Sequence, residues 1–415
     1  MLKPISHARK APGSYDRCAA LATTLELLPA LRERYGITRV ANITRLDRVG
    51  IPTFCAVVPD SPSFISVYNG KGTTNEAALI GAVFEAVERQ VAAKPELPIR
   101  RERVSRLRRS LHLDRMGLNA AEELRVDCVE GLDLLCGQSV LVPLAAVQSP
   151  WPGEPIFPPT TSNGLACGNS LLEATYHALC EVIESHLWSL YHVRCELLPR
   201  MLQGDDARDF SLAHELTLPT GNGGVDALVK DFTDAGLSVR VTYLKDAALP
   251  PAMLACVVEP GADPPMCHIG LGCSLSPAHA AIRALTEAAQ SRLTDIQGSR
   301  EDALRVGDVS TASIPIHTRR LAETPRNRWF YDLPTVAVDL AAIPDASTDD
   351  LAADVTRIVT DLRSCGASSA VMVDLSPANI PVNVVRAVIP ELETTCVDGR
   401  IGSRGIAALS PFLVC

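Results

Sequence analysis

The 415-residue chain holds thirteen cysteines but no Cys-x-x-Cys pair, which removes the usual zinc-ribbon and thioredoxin signatures. Gly-x-x-x-x-Gly-Lys-Ser/Thr is missing, so there is no Walker A loop, and Gly-x-Ser-x-Gly is missing, so serine-nucleophile chemistry has little support. No apolar run is long enough to span a bilayer, and the opening "MLKPISHARKAPGSYDR" lacks an apolar signal core. No membrane partner is therefore expected, and the expected compartment is the cytoplasm. Nor is there an excess of positive charge: 39 Lys and Arg against 48 Asp and Glu leave a net charge of −9. That argues against a general nucleic-acid surface. Low-complexity segments are absent. Most cysteines sit in apolar runs, as Cys55, Cys180 and Cys256 do, where a free thiol behaves as a small hydrophobe.

The main internal regularity is a phrase written three times. "AVFEAVER" (82–89) carries Glu85 and Glu88, "ALCEVIES" (178–185) carries Glu181 and Glu184, and "ALTEAAQS" (284–291) carries Glu287 and Gln290. A glycine precedes the first Glu of each: Gly72, Gly168 and Gly272. Each unit reads as strand, glycine turn and helix, and three similar helices could gather round one site. Residues 1–35 read as a lead-in with a short helix. Strands are expected at "ITRVANITRL", "TFCAVVPD", "FISVYN", "LVPLAAV", "LSVRVTYL" and "PAMLACVVE". Residues 95–125 are arginine-rich and expected to be solvated. The tail alternates helix and strand. The class is α/β in the α+β sense, with mixed sheets rather than a regular βαβ series.

Helix positions three apart project from one face. Glu85 and Glu88 therefore point together, and Glu173, His177, Glu181 and Glu184 fall within an arc of about 80°. Their neighbours are apolar, and an acidic cluster in such surroundings needs cations. A solvated acidic stripe is the plainer alternative for any single pair, but three repeats with apolar flanks weigh against it. "Ser170-Leu-Leu-Glu173" and "Thr73-Thr-Asn-Glu76" also read as capping boxes. The di-iron pattern Glu-x-x-His is absent from all three units, and an all-carboxylate set suits Mg2+ bound together with phosphates. "Gly70-Lys71-Gly72" and "Ala166-Cys167-Gly168-Asn169" each open a helix, where free N–H groups attract anions. Arg17, Lys71, Arg292 and Arg300 are candidate cations for phosphate, and each could equally be a surface charge.

At this point the wording resembles a known family. "ITRVANITRLDRVGIPTFCAVVPDSPSFISVYNGKG", "AVFEAVER", "TSNGLACGNSLLEATYHALCEVIES" and "ALTEAAQSR" together resemble the YcaO family from about Arg17 to about residue 410. On that reading 36–415 is one YcaO domain in which the three related helices converge on a nucleotide and Mg2+ site. The resemblance implies ATP-dependent activation of a peptide backbone amide. A nucleophile adds to the carbonyl, the oxygen takes the γ-phosphoryl group of ATP, and phosphate leaves. A Cys, Ser or Thr side chain gives an azoline, an amine gives an amidine, and sulfide gives a thioamide. ATP and Mg2+ are the implied cofactors. Glu85, Glu88, Glu181 and Glu184 match the family's metal ligands, Asn169 and Glu173 match its nucleotide contacts, and Glu287 is expected to line the same site.

The phrases "GITRVANITRLDRVGIP" and "SVYNGKG" are closest to standalone members, among them thioamide-forming ones that work with a TfuA partner and those of bottromycin-type pathways. A precursor peptide is the expected substrate and a homodimer the expected assembly. Three departures stand out. Gly81 replaces a frequent Ser, Ser185 and His186 follow Glu184 where Arg-Asp is usual, and the ending "LSPFLVC" has Pro411 alone in place of a Pro-x-Pro-x-Pro tail. No fused domain of the ubiquitin-activating type is evident, so peptide capture is expected from the YcaO domain or a separate protein. Formation of an azoline or a macrocyclic amidine leads this reading, and thioamidation with a TfuA-type partner follows. A non-catalytic ATP-binding scaffold comes last, because two full glutamate pairs are retained. The catalytic base is not identifiable.

Overall fold

The computed structural model of the chain describes residues 9–63, 65–111, 113–158, 161–197, 213–262, 266–299, 331, 335–398, 401–402 and 404–407. Arg300 and the ending from 408 lie outside them. The described residues form three sheets. The first is an antiparallel meander of β1 (Arg39–Asn42), β2 (Thr53–Val57) and β3 (Val67–Lys71).

The second, six-stranded sheet uses β4 (Arg100–Arg103), β5 (Arg125–Asp133), β6 (Gln138–Pro143), β7 (Leu165–Gly168), β13 (Val371–Asp374) and β14 (Asn383–Val388). Its order is β4-β5-β13-β14-β7, with β6 also on β5. The third contains β8 (Ala213–Leu216), β9 (Ser238–Leu244), β10 (Ala252–Val258), β11 (Cys267–Cys273) and β12 (Val336–Val338), ordered β11-β10-β9-β8-β12. Among the described residues only the β12–β8 pair is parallel, so sheet character is mostly antiparallel within a mixed α/β fold. The arginine-rich stretch is exposed as expected, but part of it forms edge strand β4, where Arg100 and Arg101 pair with Glu130 and Asp127 across the strand.

The helices that matter for the site are α1 (Asn75–Ala93), α2 (Leu171–His192) and α4 (Pro277–Gln297); α3 (Gly223–Asp234) and α5 (Leu351–Ser364) pack outside them, against α4 and α2 respectively. The first two start at hydroxyl caps. Thr74 Oγ1 accepts from Ala77 N at 3.2 Å, one residue later than the expected Thr73 box. Ser170 Oγ accepts from Glu173 N at 3.1 Å.

β3, β7 and β11, the strands of the three repeats, each end a sheet. Each feeds a helix that folds back over it, and glycine permits the close approach. A Cβ on Gly70 would lie 2.0 Å from Ala82 N, on Gly168 2.7 Å from Ala174 N, on Gly270 2.2 Å from Ala284 O, and on Gly272 2.2 Å from Ala280 O. Opposite these glycines the helices carry alanine or glycine at four-residue spacing: Ala78 and Ala82, or Ala280, Ala284 and Ala288, which share one helix face. The packing is also cyclic. α1 contacts β3 and β7, α2 contacts β7 and β11, and α4 contacts β11 and β3. The three repeat units thus close a ring.

Candidate functional site

Five carboxylates of the three helices lie near enough to act on one another electrostatically, in a run from Glu85 to Glu287. Burial pushes the Glu88 carboxyl well above its ordinary range, and Glu85 and Glu181 add to the shift. Burial likewise raises Glu181 to about 8; Arg89 opposes this, while Glu184 and Glu85 reinforce it. Glu184 is raised to about 7 by burial and then by Glu287. Burial would raise Glu287 too, but its ion pair with Lys71 and the hydrogen bond from Leu271 N at 3.2 Å outweigh burial and hold it low.

Cations stand round the cluster. Arg89 reaches Glu85 Oε1 at 2.7 Å and Glu88 Oε1 at 3.8 Å. Arg386, 2% exposed, is lowered to about 10 by burial against the pull of Glu181. The Arg283 guanidinium is raised overall: burial works against its charge, but Glu184 is the strongest of several groups favouring it.

Beside the acids, Glu173 is fully buried and serves as more than a cap. Its Oε1 accepts from Arg17 Nη1 at 2.8 Å and Asn169 Nδ2 at 3.1 Å, and its Oε2 accepts from Cys18 N at 3.0 Å. Burial would raise it, but Arg17 and these donors hold it below the ordinary carboxylate range. The lead-in segment therefore docks directly onto the start of α2. On the same helix face His177 is buried with Nε2 unpartnered. Burial, then Arg17 and Arg283, keep it well below the ordinary imidazole range, so it is neutral.

The structure brings together Glu85, Glu88, Glu181, Glu184, Glu287 and Lys71 in one group, and Arg17, Asn169 and Glu173 in an adjoining one. It places Arg292 elsewhere, 2.8 Å from Asp47 and 3.2 Å from Glu259. Sequence reasoning missed Arg89, Arg283 and Arg386. Two were readable, since Arg89 is four residues after Glu85 and Arg283 four before Glu287, each on the same helix face. Arg386 showed only as a lone charge in the apolar strand "VNVVRAVIP". The pair of buried Asp16 with half-buried His279, 2.6 Å apart, was missed as well; nothing links positions so far apart in sequence. His186, which stands in place of the usual aspartate, faces away from the acids: its Nδ1 accepts from Glu393 N at 2.8 Å.

The donor chemistry suits Mg2+: it is all oxygen, as that ion requires, and Glu184 Oε2 is buried without a partner. Among the described residues, however, no three of these side chains are gathered closely enough to hold a metal ion as they stand, so Mg2+ would have to draw the carboxylates together. Raised carboxyl groups must lose their protons to ligate, so binding and proton release are linked. In metal-free protein, groups raised to about 8 and about 7 hold more protons when folded than when unfolded. Their contribution to stability therefore falls as pH rises from about 4.5 to about 8. Mg2+ reverses that loss, so the rise in melting temperature on adding Mg2+ should grow across this window. Thermal melts with Mg2+ and with chelator check it, and a Mg2+ effect that is flat or shrinks with pH would count against these ligands.

Comparison with known proteins identifies the family. The family model described as YcaO cyclodehydratase, ATP- and Mg2+-binding, matches residues 69–393. An uncharacterized protein from the tfuA 3′ region of Rhizobium leguminosarum bv. trifolii is 32% identical over 418 residues, covering 95% of this chain and 93% of that protein. An uncharacterized protein of Methanothermobacter thermautotrophicus is 33% identical over 382 residues, covering 89% and 93%. Among solved structures, YcaO from Methanopyrus kandleri bound with AMPPCP and Mg2+ matches with TM-score 0.70 at 22% identity, covering 95% of this chain and 98% of that one. A heterocyclase in complex with substrate and cofactor matches with TM-score 0.71 at 18% identity, covering 94% of this chain and 54% of that one. The chain belongs to the YcaO family, whose cofactors are ATP and Mg2+.

Proposed function

We propose that this protein activates a peptide backbone amide by ATP-dependent phosphorylation of the amide oxygen, leading to cyclodehydration to an azoline or a macrocyclic amidine. One observation carries this reading: the run of mutually repelling carboxylates, Glu88 and Glu184 buried among them, built from three glycine-packed helices. Glu85, Glu88, Glu181 and Glu184 hold Mg2+, while Asn169, Glu173 and Arg17 hold the nucleotide. When bound, ATP supplies the phosphoryl group that makes the amide oxygen a good leaving group, and Mg2+ neutralises phosphate charge. Lys71 keeps Glu287 ionised and fixed at the rim. Arg283, whose charge acts on Glu184, supplies a guanidinium to the site in a chain where Ser185 replaces the family's usual arginine.

A second reading, thioamidation with sulfide and a TfuA-type partner, is favoured by the relative in the tfuA 3′ region. Both share the same activation, so one experiment tests the common step. A precursor peptide labelled with heavy oxygen at the target carbonyl should yield labelled inorganic phosphate with ADP. Label in AMP, or label retained in the peptide, would refute phosphoryl transfer. Omitting sulfide and the TfuA-type protein separates the two readings: cyclodehydration survives the omission and thioamidation does not.

A further inference from the structure

A cavity of about 120 Å3 lies beside the carboxylate cluster. Its wall is mostly apolar, with Met116, Phe157, Val182 and Ile389, and includes Asn163 and Arg386. Val182 directly follows Glu181 on α2. The Arg386 guanidinium donates to Asn163 O at 2.5 Å and Thr161 O at 2.6 Å, while its charge acts on Glu88 and Glu181. Cavity and cluster therefore share a wall. Segment 161–164 is seated tightly on that wall: a Cβ on Gly164 would lie 2.6 Å from Ala387 O and 2.7 Å from Val182 Cγ2. In the same segment Asn163 Oδ1 is buried and accepts no hydrogen bond. A buried acceptor left unmet is destabilising, which makes it a ready partner for a ligand N–H.

We propose that this cavity binds an apolar side chain of the substrate peptide, close to the amide being modified, with Asn163 Oδ1 accepting the backbone N–H of that residue. The proposal rests on the peptide chemistry above and adds to it a preference for the substrate's flanking residue. The size fits, since an apolar cavity of about 150 Å3 takes up benzene, close in bulk to a leucine or phenylalanine side chain. An acidic side chain is the competing occupant because Arg386 is near. That guanidinium is already held by two carbonyls and balanced by Glu181 and Glu88, so an apolar group is the better match for the remaining wall.

Two small amides discriminate: N-acetyl-leucine N-methylamide and N-acetyl-glutamate N-methylamide. Their binding to the full chain with saturating Mg2+ and AMPPCP is followed by saturation-transfer NMR. The leucine compound should bind at least about tenfold tighter, which is about 1.4 kcal/mol. Met116→Trp, which fills the cavity, should abolish its binding. Asn163→Leu, which removes the acceptor at similar size, should weaken it about fivefold, the effect of one lost hydrogen bond. Neither change should alter AMPPCP affinity, which also reports that both variants fold. Equal or tighter binding of the glutamate compound, no binding of the leucine compound, or leucine binding unaffected by both substitutions overturns the proposal. Failure of AMPPCP to bind wild type would instead strike the nucleotide reading, whatever the amides do.

Discussion

Glu181→Gln is expected to lower Mg2+-dependent ATP turnover by on the order of 10³-fold or more, since losing several kcal/mol of charge stabilisation has that effect on a rate. Glu181 stands at the middle of the acid run, between Glu88 of α1 and Glu184 of its own helix. Removing its charge should break the metal site while the helices stay packed. The same change has an opposite effect on the metal-free protein. Above about pH 8 wild type must keep the poorly solvated Glu181 carboxylate ionised against its neighbours, and glutamine removes that cost. With chelator present, the variant should melt no lower than wild type. Loss of turnover with unchanged or higher melting temperature is the expected pair of results. Wild-type turnover, or a variant that fails to fold, would show that Glu181 serves another purpose.

Gly270→Ala should have the largest effect on stability. Its Cβ would sit 2.2 Å from both Ala284 O and Ala288 N. These are backbone atoms of α4, so no side chain can rotate away, and helix and strand must separate. Overpacking a tight core costs about 1–3 kcal/mol, occasionally more, and this contact belongs at the upper end. The melting temperature should fall by several degrees with Mg2+ or with chelator, because the change acts on packing rather than on ligands. Shifting α4 also moves Glu287 and Arg283, so nucleotide affinity should fall with stability. A variant as stable as wild type would mean that the approach of α4 to β11 is looser than described.

How much of this was legible beforehand depended on the distance over which each signal acts. The repeated Ala-x-x-Glu-x-x-Glu/Gln phrase disclosed three helices and their shared faces, because helical periodicity is local. In the sequence the glycines before each helix, Gly72, Gly168 and Gly272, read as turns. Their real work, with Gly70 and Gly270, is to let an alanine face lie against a strand, and that needs the partner surface to be known. The ring of contacts was not readable, since it joins elements about a hundred residues apart. Among the candidate cations, Lys71 lies next to the acids because it ends β3, which α4 crosses. Arg292 does not, because one and a half helical turns beyond Glu287 it faces Asp47 and Glu259. Arg17 depended on the lead-in folding back onto Glu173, a pairing across 156 residues.

On the proposed function, the helices α1 and α2 together supply one metal site. A crystal of the protein grown with AMPPCP and Mn2+ in place of Mg2+ tests this most directly, because Mn2+ scatters anomalously and takes the same oxygen ligands. Anomalous peaks should fall within coordination distance of Glu85, Glu88, Glu181 and Glu184, bridging to the phosphates of a nucleotide held near Glu173. Peaks bound elsewhere, or ligated by only one of the two helices, would contradict the account.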